Sequence, residues 1–286
     1  MSDIKAYLYS HDPQHCSADK WDYGIIREAF ERKGIEQVRV EKLPVVERGF
    51  VVIPGPQNAG CEVEVSNELK NISRVVLFVN GDEHATFDID KINHPNIEIW
   101  VQYPQKNKHE KYNKLAQGSP QHIKNNIPDY PIKDCDVYFA GQINHKRRRD
   151  LGEVMKGIEH ALYKPTAGFT KGDKPKEYYR LLSKTKIAPC PSGVVCIDSF
   201  RFYEAIEMMA FPVADRVNPK GVQQDYYEYL FNDDVNNMVS VASWYELNSV
   251  IPTVLKNWPN NMHRLVCWWL KYKRDFANKI MSQVNA

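Results

Sequence analysis

The chain of 286 residues is 43% apolar and 26% charged and carries a formal net charge of +2. Those proportions exclude a disordered or fibrous chain, and the near-neutral balance excludes a protein drawn to nucleic acid by global charge alone. The length fits one large domain or two of ordinary size, and two compact halves are expected.

Residues 4–9 form a β-prone run, followed by a polar loop over 11–20 and a helix over 21–33. In that helix Ile25, Ile26, Ala29 and Phe30 recur at helical spacing, and Gly34 closes it. Strands are expected over 38–43, 50–53, 74–79 and 97–103. The second stops at Pro54-Gly55-Pro56, a strand terminator or a rigid rim for a cleft, and the third runs into Asn80-Gly81-Asp82-Glu83. Strands separated by helix-length segments argue for a largely parallel sheet covered on both faces, a Rossmann-like half. Between 105 and 134 the composition turns polar, with Pro120, Pro128 and Pro131, so a first domain of residues 1–125 and a second of 126–286 are expected.

The alternation then restarts: strand 136–140, helix 146–160, short strand 161–164, helix 175–184, strand 187–189. A helix from Ser199 to about residue 210, a strand over 211–214 and helices over 244–257 and 261–284 complete the pattern. There is no solenoid repeat and no low-complexity tract. No apolar run spans a bilayer, the first residues lack a signal-peptide pattern, and Cys16, Cys61, Cys135, Cys190, Cys196 and Cys267 form no Cys-x-x-Cys pair. Reduced thiols and a cytoplasmic protein are expected.

In the helix beginning near Ser199, Phe202, Ala205, Ile206 and Met209 share one face, while Arg201, Glu204 and Glu207 line another. Ser199 or Asp198 is placed to cap the first turn. The exposed amides there suit a diphosphate, and Arg201 would reinforce them. Glu204, one turn on, can accept two hydrogen bonds from a ribose diol. The same spacing also describes an exposed Arg201–Glu204 ion pair, worth about 0.2–0.5 kcal/mol.

The stretches Pro191-Ser192-Gly193, Ser199-Phe200-Arg201-Phe202, Glu204-Ala205 and Phe211-Pro212-Val213 resemble the nucleotide-sugar-binding segment of exostosin-like glycosyltransferases. The likeness covers about residues 136–216 and includes Asp136-Val137-Tyr138-Phe139-Ala140-Gly141 followed by Lys146-Arg147-Arg148-Arg149. It implies an α/β GT-B architecture: two Rossmann-like domains with parallel sheets facing across a cleft, donor held by the second, acceptor by the first, and a C-terminal helix packing back. It also implies that Gly141 and Arg147 or Arg148 lie near the donor phosphates. Ser192 and Gly193 would then line the donor loop, Ser199 and Arg201 would flank the diphosphate, and Glu204 would hold the ribose. Exostosins are typically membrane-anchored with longer lumenal regions, so the acceptor does not carry over.

The expected activity is therefore transfer of a sugar from a nucleotide-diphosphate donor, UDP-linked, to a hydroxyl, inverting and metal-independent, with no separate cofactor. Inversion needs a base. Asp82 or Glu83 after the 74–79 strand is the first choice, Asp12 after the first strand the next, with His11, His15 and His84 as alternatives. Asp88-Ile89-Asp90 has the letters of a metal-binding pair but falls in a loop. The acceptor is a glycan or lipid-linked sugar, with Trp268 and Trp269 making a peripheral membrane contact, or 5-hydroxymethylpyrimidine DNA, with Lys146 to Arg149 and the lysines of 106–124 on its phosphates. Tyr178-Tyr179 and Tyr226-Tyr227 are candidates for stacking on a base or sugar, or for ordinary packing. A non-catalytic nucleotide-sugar-binding module is the competing reading.

Overall fold

The computed structural model describes residues 4–10, 23–104, 112–126, 132–168, 171–232, 234–235 and 238–286. Two compact units form, one from residues 1–118 with 271–286 and the other from 119–270. The end of the last helix belongs to the first unit, a long-range return that a single cut along the chain does not capture.

The first unit contains β1 (Lys5–Tyr9), α1 (Gly24–Lys33), β2 (Glu36–Val40), β3 (Val46–Pro54), α2 (Gly55–Asn58), α3 (Glu62–Leu69), β4 (Ile72–Asn80), β5 (Ile97–Gln102) and β6 (Asn113–Leu115). Its sheet runs β2-β1-β3-β4-β5-β6, and every pair is parallel. The near-continuous apolar runs of β3 and β4 follow from burial on both faces. Phe50 and Phe78 meet Phe30 of α1 at ring-centroid distances of 4.9 and 5.8 Å. The alternate residues Val51, Ile53, Val75, Leu77 and Val79 pack on the opposite face with Val65 and Leu69 of α3.

The second unit contains β7 (Cys135–Gln142), α4 (Lys146–Lys156), β8 (Ala161–Thr166), α5 (Pro175–Ser183), β9 (Thr185–Cys190), α6 (Phe200–Glu207), β10 (Phe211–Asp215), α7 (Tyr226–Phe231), β11 (Val239–Val241), α8 (Leu247–Lys256) and the first half of α9 (Trp258–Asn285). Its parallel sheet runs β11-β10-β9-β7-β8. Counted from its own first strand, each sheet begins 2-1-3-4-5, the doubly wound order. The chain thus has two Rossmann-like α/β units, a GT-B-like fold class.

In the second unit the strand order reverses between β7 and β9. Their ladder ends at Val137↔Ile187, two residues before Pro189, which has no N–H to offer, whereas β7 stays paired with β8 as far as Gln142↔Thr166. The β7 and β9 ladder is therefore open at its C-terminal end, where doubly wound sheets hold their ligands.

Several expectations need correction. α6 ends at Glu207, and Met209 has φ of 55° and is 53% exposed, so it leaves the apolar stripe assigned to it. Trp268 and Trp269 are buried, against Phe231 at 4.8 Å and Tyr203 at 5.1 Å, and so offer no membrane-facing surface. Tyr227 stacks on Phe202 at 4.5 Å inside the same core, so the Tyr226-Tyr227 pair is packing. Among the described residues no helix is long and apolar enough to cross a membrane.

Candidate functional site

The loops that leave β7, β9 and β10 converge at the reversal point of the second sheet. Arg201, in the first turn of α6, donates through Nε to the carbonyl of Ala140 at 3.0 Å and lies 5.5 Å over the Phe139 ring. Its guanidinium crosses Gly141 so closely that a Cβ there would stand 2.8 Å from Cζ and 3.1 Å from Nε. Glycine at 141 is the space Arg201 occupies. Among the described residues no carboxylate forms an ion pair with this half-buried guanidinium, whose remaining N–H groups are left for a ligand.

α6 begins without a side-chain cap. Ser199 is extended, and Asp198 instead accepts from the Ser199 amide at 3.0 Å and from the Tyr203 hydroxyl at 3.1 Å. Neither residue caps the helix as expected; Asp198 shapes the turn before it. The Ser199 amide is thus taken by Asp198, the Phe202 amide goes to the Ser199 carbonyl at 3.0 Å, and Phe200 has a partner of its own, so what this helix start offers an anion is the Arg201 side chain.

Arg147 and Arg148 do other work than the sequence implied. Arg147 grips Asp215 at the end of β10, with Nη2 2.5 Å from Oδ1, and rests 5.5 Å over Trp244. The pair is enclosed: the Arg147 side chain is 11% exposed and that of Asp215 0%. Asp215 also accepts from the amides of Ser192 at 3.3 Å and Val217 at 3.0 Å. Arg148, buried, donates to the Ser192 carbonyl at 2.9 Å and to the Gln142 carbonyl at 3.3 Å. Both arginines are struts for the loop bearing Ser192 and Gly193, so they are not open phosphate ligands.

His145 precedes α4, and its Nε2 lies 3.3 Å from the Ser192 carbonyl, so that nitrogen carries the proton. Burial, with Arg148 next in effect, pushes its pKa down to about 4 and keeps the ring neutral near pH 7. Its Nδ1 and the Ser192 hydroxyl are both buried without a hydrogen-bond partner among the described residues. Polar atoms in that state are uncommon in folded proteins and mark places where a ligand or solvent completes the bonding.

Glu204 differs most from expectation. It is 7% exposed, and each carboxylate oxygen takes a phenol: Oε1 from Tyr179 at 2.7 Å, Oε2 from Tyr178 at 2.9 Å. It does not stand open to water, nor does it pair with Arg201. Tyr179 gives its only proton to Glu204, so the His122 Nε2–H, 3.1 Å away, donates to the phenol oxygen. Burial, then the Glu204 charge, raises both phenols above their ordinary pKa, which keeps them protonated donors. The Tyr178-Tyr179 pair thus positions a carboxylate. Tyr178, Tyr179 and His122 were not legible as a network around Glu204, because the partners come from α5, the 121–126 turn and α6; Asp215, at the end of β10, was not singled out.

The first unit's candidates lie apart from this group in the chain. Asp82, at the end of β4, is buried and accepts from the Thr86 amide (2.9 Å), the Thr86 hydroxyl (2.8 Å) and the Phe87 amide (2.8 Å). Those bonds fold the 82–87 loop and leave its carboxylate occupied, a turn-forming role in place of an open base. Gly55 makes room for it, since a Cβ there would lie 2.6 Å from Asp82 Cβ. Glu83 is half-buried beside it and has a partner of its own. Asp12, His11 and His15 fall outside the described residues. Asp88 accepts from the Asp90 amide at 3.2 Å, capping a short 3-10 turn.

Neither a protein-family model nor a curated protein sequence matches the chain. Among solved structures, the crystal structure of an alpha1,3-fucosyltransferase is similar at 10% identity and a TM-score of 0.49, over 92% of this chain and 81% of that one. The functional reading therefore rests on the chain's own side chains.

Proposed function

We propose that the protein is a glycosyltransferase that binds a nucleotide-diphosphate sugar in the second unit and transfers the sugar to a hydroxyl. The observation that carries this reading is Arg201: a half-buried guanidinium with no ion-paired carboxylate among the described residues, at the reversal point of a parallel sheet. A diphosphate answers this feature, since its oxygens accept from a planar arginine fork. The same guanidinium would take up charge as the diphosphate leaves. The likeness of residues 136–216 to exostosin-like donor segments points the same way.

In this reading Glu204 is a positioning residue. Its buried carboxylate accepts one phenol on each oxygen, so its part is to hold Tyr178 and Tyr179 in place and not to receive a ribose diol directly. Two of the cations assigned to DNA phosphates, Arg147 and Arg148, are committed internally, which favours a glycan acceptor over modified DNA.

The test is a thermal-shift and calorimetric screen against UDP-, GDP-, ADP- and CMP-linked sugars, with Arg201→Ala as control. A nucleotide sugar that raises the melting temperature of the wild type, but not of the variant, is expected. No shift with any donor would remove the reading. Turnover of the bound donor separates an enzyme from a binding module.

A further inference from the structure

The first unit contains a cavity of about 420 Å³ that the donor reading does not use. It opens at the C-terminal ends of β4 and β5, beside Val79 and Val101, and not at that sheet's own reversal point between β1 and β3. Its volume is that of a small-molecule pocket. Two of its wall residues, Ala85 and Tyr103, have φ of 49° and 54°, in the left-handed region that side chains other than glycine's rarely adopt. Such strain costs on the order of 1–3 kcal/mol per residue and collects at ligand sites.

The wall chemistry identifies the ligand class. Tyr112, half-buried, supplies aromatic surface, backed by Phe87 and Tyr103, which are buried. Three carboxyl groups, Glu62, Asp82 and Asp88, face one cation, Lys91. Phosphate or a nucleic-acid backbone therefore meets like charge. A cation is not favoured either, because the inner carboxylates are answered locally. Asp82 is filled by Thr86 and Phe87. Glu62 accepts from the amides of Gly60 at 3.0 Å and Asp88 at 3.2 Å, with the Lys91 ammonium at 3.5 Å. What remains is the rim pair Asp88 and Lys91, 3.7 Å apart with side chains 45% and 51% exposed, an acceptor beside a donor. A ligand hydroxyl can donate to the first while another accepts from the second.

We propose that this cavity binds an uncharged carbohydrate, its ring against the aromatic wall and its hydroxyls on Asp88 and Lys91. The binding claim stands on the cavity alone; its assignment as the acceptor unit rests on the transferase reading.

The experiment is saturation-transfer NMR and calorimetry on the full chain with neutral methyl glycosides, a methyl glucuronide and a short DNA duplex. At least one neutral glycoside is expected to bind, with affinity falling tenfold or more in Lys91→Met and in Asp88→Asn, while the glucuronide and the DNA do not compete. Binding of the DNA or glucuronide in place of neutral glycosides overturns the proposal, as does neutral binding that both variants leave intact, or no neutral glycoside bound. Cooperative melting near the wild-type temperature in Lys91→Met and Asp88→Asn shows that the variants are folded. Glycoside binding without any nucleotide binding would sink the donor reading and leave this one standing.

Discussion

Replacing Gly141 by alanine tests the donor site through a residue that need not touch the ligand. The new methyl would stand 2.8 Å from Arg201 Cζ and 3.1 Å from Nε, so the guanidinium must swing away. It then loses its bond to the Ala140 carbonyl and its place over Phe139. A hydrogen bond from a charged donor contributes about 1.5–3 kcal/mol, but the half-exposed group regains water, so a net loss of about 1 kcal/mol is expected. For a chain of this size that is a melting shift of about 2–4 °C. Displacing the cation from a diphosphate should cost more, about 2–3 kcal/mol, or roughly 30- to 150-fold in Kd. Calorimetry with UDP on Gly141→Ala, Arg201→Ala and the double variant reads this directly. Because both changes remove one contact, the double variant should bind no more weakly than Arg201→Ala alone. Additive losses, or wild-type affinity in Gly141→Ala, would refute the claim that the guanidinium's position matters.

Asp215→Asn should destabilise the second unit by about 3–5 kcal/mol in urea titrations, because it leaves the Arg147 charge enclosed without its counter-ion. Glu204→Gln turns one phenol toward an amide NH₂ and should cost about 1–3 kcal/mol, part of which Tyr178→Phe or Tyr179→Phe in the same background restores. For Glu62, burial pushes the pKa up, but the amides of Gly60 and Asp88 and the Lys91 charge outweigh it and hold the pKa at about 2, below the ordinary 4.5. A folded-state pKa below the unfolded one gives stability that is complete above about pH 4.5 and lost as the pH falls through 2. Melting curves of Glu62→Gln between pH 7 and 2 should lack that component of the acid slope.

What the sequence revealed depended on how local each signal is. The runs around Phe50 and Val76 announced buried parallel strands, because a strand covered on both faces must be apolar at nearly every position. β6 and β11, three residues each, carried no such run and surfaced only through pairing. Gly141 and Arg201 were both singled out, yet their mutual contact, 60 positions apart, is a property of the fold. Asp82 shows the opposite failure. A carboxylate after a strand looks the same in sequence whether it faces a substrate or folds its own loop, and only the three donors from Thr86 and Phe87 decide between them.

Arg147, Arg148 and Arg201 illustrate how one residue type divides its labour by burial and partner. Arg147 and Arg148 sit one after the other at the start of α4, where the helix dipole disfavours cations. They are retained there because each reaches a fixed acceptor: Asp215 for one, the Ser192 and Gln142 carbonyls for the other. Together they lock the loop after β9 to the ends of β7 and β10, so its backbone is set before any ligand arrives. Arg201 has one backbone carbonyl and an aromatic face, and among the described residues no carboxylate is ion-paired with it. A rigid loop beside a fixed guanidinium is the arrangement that lowers the ordering cost of binding. Arg201→Lys should therefore behave nearly as Arg201→Ala toward UDP, since an ammonium keeps the charge but has neither the fork nor the Nε–H that anchors it to Ala140. A lysine variant that binds UDP like the wild type would mean that charge alone, and not the fixed guanidinium, selects the anion.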